Sequence, residues 1–520
     1  MFIDAGELSK GEILETEICV IGAGAAGIAI ARELGGRDFR VLLLESGGFD
    51  FDEQTQELYR AESIGAHDGK IDDMRLRYFG GTTNHWAGNC RPLDALDFTP
   101  RPWASPEGWP FARAELVPFY RRAEALLEIA PFDYETAAWD GGGQGPPLPF
   151  APERLLTSQY QVNPVRFGTA FRDDIRRAAN VTACLHANVV EIEIDDAVKQ
   201  VTGLRVAAPG GKAFGVRARL YVLAAGGVEN VRLLLNSDRV QRGGLANGND
   251  LVGRFFMEHM VQASGRLLPL DPYIPMRLYA YDQRSYGVLT LPEEIVRGEQ
   301  LVNLTIALQR NAAPEAAGVT SLKAIMGALG EGKVPDPFAD HVWNVITDID
   351  DVAAAAYRKL LGQRRPLSFI RFFNRAEAIP DRQSRVTLSR QRDRLGQRRV
   401  RLDWRPGNGE LPSIRRAHEI AALEAGRTGV GRVQVELEGE KPERTHAWAV
   451  SGHHMGTTRM HANPKRGVVD ANCRVHGMAN LYVAGSSVFP TAGCSNPTLT
   501  IIALALRIAD RIKLSIGNGR

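Results

Sequence analysis

The sequence predicts an α/β protein built from two units. One is a doubly wound, mainly parallel sheet assembled from discontinuous segments; the other is an α+β unit with a mostly antiparallel sheet. Three observations carry this. At 520 residues the chain exceeds one ordinary hydrophobic core. Continuous apolar runs at 18–21, 41–44, 220–225 and 481–484 read as strands buried on both faces, and both ends of the chain supply them. From about 267 to 435, stretches such as PLSFIRFF and SRVTLS alternate instead, as strands do in a second sheet with one open face. The expected division assigns 1–115, 180–266 and 450–520 to the first unit, and 116–179 and 267–449 to the second.

Composition narrows the class. Hydrophobic residues at 44% and charged residues at 24% are globular values. A net charge of +2 gives no general drive toward nucleic acid or membrane. The five cysteines are scattered and never form CxxC, which argues against a disulfide framework, a zinc ribbon, a cysteine-ligated cluster or an attached haem. The first residues lack the basic and apolar regions of a secretory signal, and the apolar run 501–506 is too short to span a bilayer. A cytoplasmic protein with no membrane span, no nucleic-acid partner and no metal site is the expectation. The arginines between 358 and 405 read as a solvated face, with docking of a redox partner or an anionic substrate as the alternative.

The first strand leads into a turn and a helix through EICVIGAGAAGIAIARELGG, in which Gly22, Gly24 and Gly27 form G-x-G-x-x-G. Gly22 allows the tight turn, Gly24 lets backbone approach a pyrophosphate at the helix N-terminus, and Gly27 permits close helix–strand packing. Glu45 closes the next strand, where a carboxylate can accept both ribose hydroxyls and disfavours a 2′-phosphate. A Rossmann-like dinucleotide domain follows, for FAD or NAD. YVLAAGGVENVRLLL, with Ala225, and NLYVAGSSVFPTAGCSNPTLT, with Gly485 and Ser486, repeat the strand–glycine–helix pattern far along the chain. A cofactor met from positions near 22, 225 and 485 is long, which favours FAD.

These segments, with YFGGTTNHWAG, LVGRFFMEHM and HHMGTTRM, resemble the glucose–methanol–choline (GMC) flavin oxidoreductases, and most closely the branch of pyranose oxidase and the bacterial sugar dehydrogenases. The resemblance is strongest in the first hundred and last seventy or so residues. It implies an FAD-dependent enzyme with a Rossmann-like FAD-binding domain and a separate substrate domain. It also implies oxidation of a CH–OH group of a sugar or glycoside to a carbonyl, with hydride passing to flavin N5. In GGTTNHW, Gly80 and Gly81 let backbone approach a ring system, with Thr82 and Asn84 beside it. His85 falls where some members join histidine covalently to the flavin 8α-methyl; the alternative is packing beside the ring edge. The implied cofactor set is completed by Val190, Pro497 and Thr498.

Such an oxidation needs a base, and a neutral histidine suits it. Counted back from Gly456, Thr457 and Met460, the family's catalytic histidine falls on His453, and its second member on Asn496, which would hold the substrate oxygen. Asn496 reads as a helix N-cap with Pro497 as the first helical residue. Neighbouring side chains on an extended segment point to opposite faces, so His454 is expected in a supporting role. His259, in FMEHM, is read as structural. An aryl or aliphatic alcohol is the competing substrate, a non-redox lyase with structural FAD the competing chemistry, and oxygen, a quinone or a redox protein the electron acceptor.

Overall fold

A computed structural model describes residues 1–65, 71–134, 139–281, 284–360, 365–437 and 449–517. The apolar runs of the two chain ends meet in one sheet, in the order Phe2–Asp4, Val181–Leu185, Val41–Leu44, Ile13–Ile21, Ala213–Leu223, Val201–Ala207, Asn188–Ile194. The first five strands are parallel to one another. The long strand Ala213–Leu223 has a divided free edge. Its first residues pair with the antiparallel hairpin of Val201–Ala207, and its last three pair in parallel with Leu481–Val483. The C-terminal segment is thereby stitched next to the first turn of the chain.

Helix Ala25–Glu33 buries Ala26 to Ala31 and packs against the last helix, Thr498–Gly517. Ile18, Ile28 and Ile30 are fully buried here, each worth about 1.5–3 kcal/mol of transfer free energy. The approach is close because Gly27 lacks a side chain: a Cβ there would lie 1.8 Å from the Gly22 carbonyl oxygen. The last helix begins at Thr498, one residue later than the sequence suggests. Pro497 instead supplies the carbonyl that accepts from Ile501.

The second sheet is antiparallel, in the order Gly431–Val435, Met260–Pro269, Leu367–Ala376, Leu304–Ala312, Ser285–Thr290, Leu156–Val162, Asn89–Cys90. Along Leu367–Ala376 the alternation sorts residues by face. Ile370 and Phe372 pack in one core with Ile414, Ala417 and Ile420 of helix Glu410–Thr428. Arg371, Phe373 and Arg375 take the other face. SRVTLS does not join this sheet. Arg385–Arg392 pairs with Arg398–Trp404, which pairs with Ala61–Gly65. The alternation marks a strand correctly, but its partner is fixed by burial of Val386, Val400 and Leu402 against helix Gly226–Asn236 on the nucleotide side. Helices Ala317–Gly330, Phe338–Thr347 and Ile349–Leu360 stand out from the end of Leu304–Ala312 and expose Met326, Leu329, Trp343 and Ile346. None of the described helices is long and apolar enough to cross a membrane.

Candidate active site

A cavity of about 590 Å³ is lined by residues of every motif singled out above except LVGRFFMEHM. Gly22 sits at φ +105°, where a Cβ would meet the Ala224 carbonyl oxygen at 2.7 Å, so only glycine makes this turn. Gly24 precedes helix Ala25–Glu33, and a Cβ there would meet no atom of the chain within 4 Å. The same holds at Gly226 and Gly485, so three glycines from three segments form one smooth cradle. Glu45 is buried with both oxygens engaged: Oε2 accepts from the Ala23 amide (2.9 Å), Oε1 from the Gly47 amide (2.9 Å) and the Ser46 hydroxyl (3.1 Å). A carboxylate has about four acceptor sites. One remains for a ribose hydroxyl, and rotation of the Ser46 hydroxyl frees a second.

Gly81, Thr82, His85, Val190, Ala225, Ser486, Pro497 and Thr498 also line the cavity. Gly27, Gly80 and Asn84 do not; they shape it from behind. A Cβ on Gly80 would collide with the Gly168 amide at 2.5 Å, and Asn84 Nδ2 donates to the Phe79 carbonyl at 2.9 Å. Arg166 donates to the Trp86 carbonyl at 2.5 Å and the Trp86 indole to the Val165 carbonyl at 3.0 Å, which clamps the loop. Burial and then Arg166 lower the pKa of His85, so its imidazole is neutral.

A second stretch of wall is ionic. Glu229 accepts from Arg75 at 2.8 Å and Arg77 at 3.2 Å, and Arg232 reaches both Glu229 (3.4 Å) and Asp393 (2.6 Å). Burial alone would raise the Glu229 pKa; Arg232, Arg75 and Arg77 instead hold it down to about 2. Nothing local in the sequence signals this cluster, because its members come from positions 75 to 393.

The histidine pair is built by pairing of two distant segments. Met257 and Met455 exchange backbone hydrogen bonds at 3.0 Å in an antiparallel bridge. Gly456, at φ +81°, turns the second strand away, and a Cβ there would strike the Phe255 carbonyl oxygen at 2.3 Å. FMEHM therefore lies beside HHMGT. Glu258, fully buried, accepts from the His453 amide (2.8 Å) and the Ser451 hydroxyl (3.1 Å), while its other oxygen lies 3.4 Å from His454 Nε2. The neighbouring histidines thus have separate partners: His454 turns to Glu258, His453 to His259 and Asn496.

The hydrogen-bond chain assigns the protons. His259 Nε2 is 2.8 Å from the Gly493 carbonyl oxygen, which only accepts, so Nε2 carries the hydrogen. Burial and Arg375 push the His259 pKa down to about 4, so its ring is neutral and Nδ1 is an acceptor. His453 Nδ1, 2.8 Å away, must donate to it. His453 is itself held well below the ordinary histidine pKa by burial, His259 and Arg375. Its Nε2 therefore presents a lone pair, 3.2 Å from Asn496 Nδ2. Arg375 Nη1 donates to Asn496 Oδ1 at 2.7 Å, which turns the amide so that its NH₂ faces the histidine. The arrangement suits proton abstraction from an oxygen held between Nε2 and the amide. His259, Glu258 and Arg375 escaped sequence reading in these roles; the repeated EH and HH dipeptides in two apolar strands were the available hint.

Residues 380–505 match the profile of a family described as GMC oxidoreductase. That segment is similar to the C-terminal domain of the GMC oxidoreductases. The chain is 25% identical to the 6‴-hydroxyparomomycin C oxidase of Streptomyces lividus over 95% of this chain and 91% of that one. It is 22% identical to the fructose dehydrogenase large subunit of Gluconobacter japonicus over 98% and 100%. Among solved structures, pyridoxine 4-oxidase from Mesorbium loti shares the fold with a TM-score of 0.55, 19% identity and coverage of 95% and 99%. The glycine cradle, the buried Glu45 and the helix N-terminus fit a dinucleotide such as FAD.

Proposed function

We propose that the protein oxidises a CH–OH group of a sugar or glycoside to a carbonyl, with His453 as the general base and Asn496 holding the substrate oxygen. The observation that carries this reading is the unprotonated Nε2 of His453, set by His259 and Gly493 and facing the Asn496 amide in the wall of the same cavity as the glycine cradle. FAD, when bound, supplies the acceptor for the carbon's hydride at N5. Residues Gly22, Gly24, Glu45, Gly81, Thr82, His85, Val190, Ala225, Gly485, Ser486, Pro497 and Thr498 would hold it, with Gly27, Gly80 and Asn84 shaping the loops behind. Pro497 and Thr498 open the last helix, whose N-terminal dipole favours negative charge nearby.

A relative named for fructose that matches nearly the whole chain supports a sugar. Arg375 beside Asn496 argues against a substrate that brings an ammonium group close to the reacting carbon, as an amino sugar would. The His85 ring has no hydrogen-bond partner among the described residues and is neutral, which supports it as the residue for an 8α link to the flavin; yellow colour retained by the SDS-denatured polypeptide tests that. The five cysteines are free and buried, which supports a reducing, cytoplasmic setting. Oxygen, a quinone or a redox protein would reoxidise the enzyme. The division into 1–115, 180–266 and 450–520 against 116–179 and 267–449 is proposed with exceptions: Arg385–Trp404 goes with the nucleotide side, and Asn89–Cys90 and Met260–Pro269 go with the antiparallel sheet.

Anaerobic mixing with sugars, glycosides and aryl alcohols should bleach the flavin band with a sugar or glycoside. His453→Ala should slow that bleaching by roughly 10²–10⁴-fold. Fast reduction in the variant would remove His453 as the base, and turnover with the flavin oxidised throughout would select a lyase.

A further inference from the structure

The arginines in the cavity wall fall into two kinds. Arg75, Arg77 and Arg232 share Glu229 and Asp393. Arg375 has no carboxylate within ion-pair distance among the described residues. Its Nη1 donates to Asn496 Oδ1 (2.7 Å) and the Tyr160 hydroxyl (3.2 Å), both neutral, and its guanidinium lies 5.9 Å from the Tyr160 ring centroid. Its Nε is sealed from solvent without a partner, while Nη2 donates to no described residue. A guanidinium does not discharge at any working pH, so a partly buried one without a carboxylate partner keeps part of its desolvation cost until an anion arrives. The strand alternation that buries Ile370 and Phe372 under the helix turns Arg375 to the face that lines the catalytic cavity.

We propose that Arg375 is an anion subsite of the active site, and that the physiological substrate is a polyhydroxy compound carrying a carboxylate near the oxidised carbinol, that is, a sugar acid. This rests on the reading of His453 as base for a CH–OH group. Only the Asn496 amide separates the guanidinium from the His453 ring, so the carboxylate lies a few bonds from the reacting carbon. A single free terminal nitrogen matches a monoanionic carboxylate; a phosphate dianion calls for more donors than this wall supplies. The same cation would also favour negative charge developing on the substrate oxygen, but that effect acts equally on neutral and acidic substrates. The ratio between the two isolates the subsite.

The test uses FAD-loaded enzyme and matched probes: D-glucuronate against D-glucuronamide, and D-gluconate against D-glucitol. The acid should exceed its neutral partner in kcat/KM by roughly tenfold to a hundredfold, the worth of one charge-assisted hydrogen bond. Arg375→Gln should collapse that ratio toward one, and Arg375→Lys should retain part of it. Independently of turnover, titration with D-gluconate followed by the flavin difference spectrum should give a Kd raised by a similar factor in Arg375→Gln. An unchanged ratio and an unchanged Kd in both variants overturn the subsite, as does a wild-type preference for the neutral partners. Tighter binding of glucose 6-phosphate than of any carboxylate overturns the carboxylate class. If carboxylates bind through Arg375 but no CH–OH compound reduces the flavin, the subsite stands and the oxidation reading falls.

Discussion

Two stretches of the same cavity wall treat charge in opposite ways. Around Glu229, three guanidiniums and two carboxylates form a closed network, and a buried acid is held ionised at about pKa 2. Around His453, two imidazoles are kept neutral by burial and by Arg375, whose own charge goes unanswered. The first stretch neutralises itself. Under the proposed function the second keeps a lone pair and a charge unmet until substrate arrives, and that costs stability.

The sharpest way to break the contrast is Glu229→Leu, which strands Arg75 and Arg77 and leaves Arg232 with Asp393 alone. Removing one partner of a buried network costs about 3–5 kcal/mol, and denaturant unfolding should show a loss of that size. Acid separates the two stretches by pH window. His259 takes up a proton near its ordinary value when unfolded but only at about 4 when folded. Its contribution is therefore intact above about pH 6.5 and lost as pH falls toward 4, about 3 kcal/mol in all. Glu229, with its pKa depressed, contributes fully above its unfolded value and is lost only as pH falls through about 2. Urea midpoints at pH 7 and pH 4.5 should reveal the histidine loss, and His259→Gln should flatten it.

A smaller effect tests the proton assignment. His259→Phe leaves the Nδ1 hydrogen of His453 without an acceptor, at about 1–3 kcal/mol. We expect kcat to fall roughly tenfold to a hundredfold with little change in KM, a displaced acid limb in the pH profile, and partial recovery in His259→Asn, whose amide oxygen accepts. Nitrogen-15 shifts of the His453 ring should report a mixed tautomer in the Phe variant and a single one in the wild type. The smallest effect on stability belongs to Gly24→Ala. With no chain atom within 4 Å of the added methyl, unfolding of the FAD-free protein should shift by less than about 0.5 kcal/mol, while FAD occupancy falls. Gly27→Ala, whose methyl meets the Gly22 carbonyl, should lower both.

The nucleotide side was legible because its demands are local. Gly22, Gly24 and Gly27 lie within six positions of one another; Gly22 and Gly27 answer contacts of the chain itself, and Gly24 leaves the cradle open. His453 and Asn496 were legible only through the resemblance to a family; the structure brings the two side chains to 3.2 Å of each other. Arg375 stayed hidden among the arginines of 358–405. Its neighbours Arg385, Arg398 and Arg405 pair with partly exposed carboxylates, as a solvated face implies, and composition cannot say which arginine turns inward. Nothing near His259 in the sequence shows its contact with His453, which is 194 residues away. Pairing over that distance depends on how strands dock, which no spacing rule contains.

The bridge between Met257 and Met455 makes competence conditional on a finished chain. Without the bridge, His453 and His259 would not be held side by side, and nothing else described would fix which ring nitrogen of His453 carries the hydrogen. Under the proposed function, the base is thus set by the docking of two segments that stand far apart in the chain.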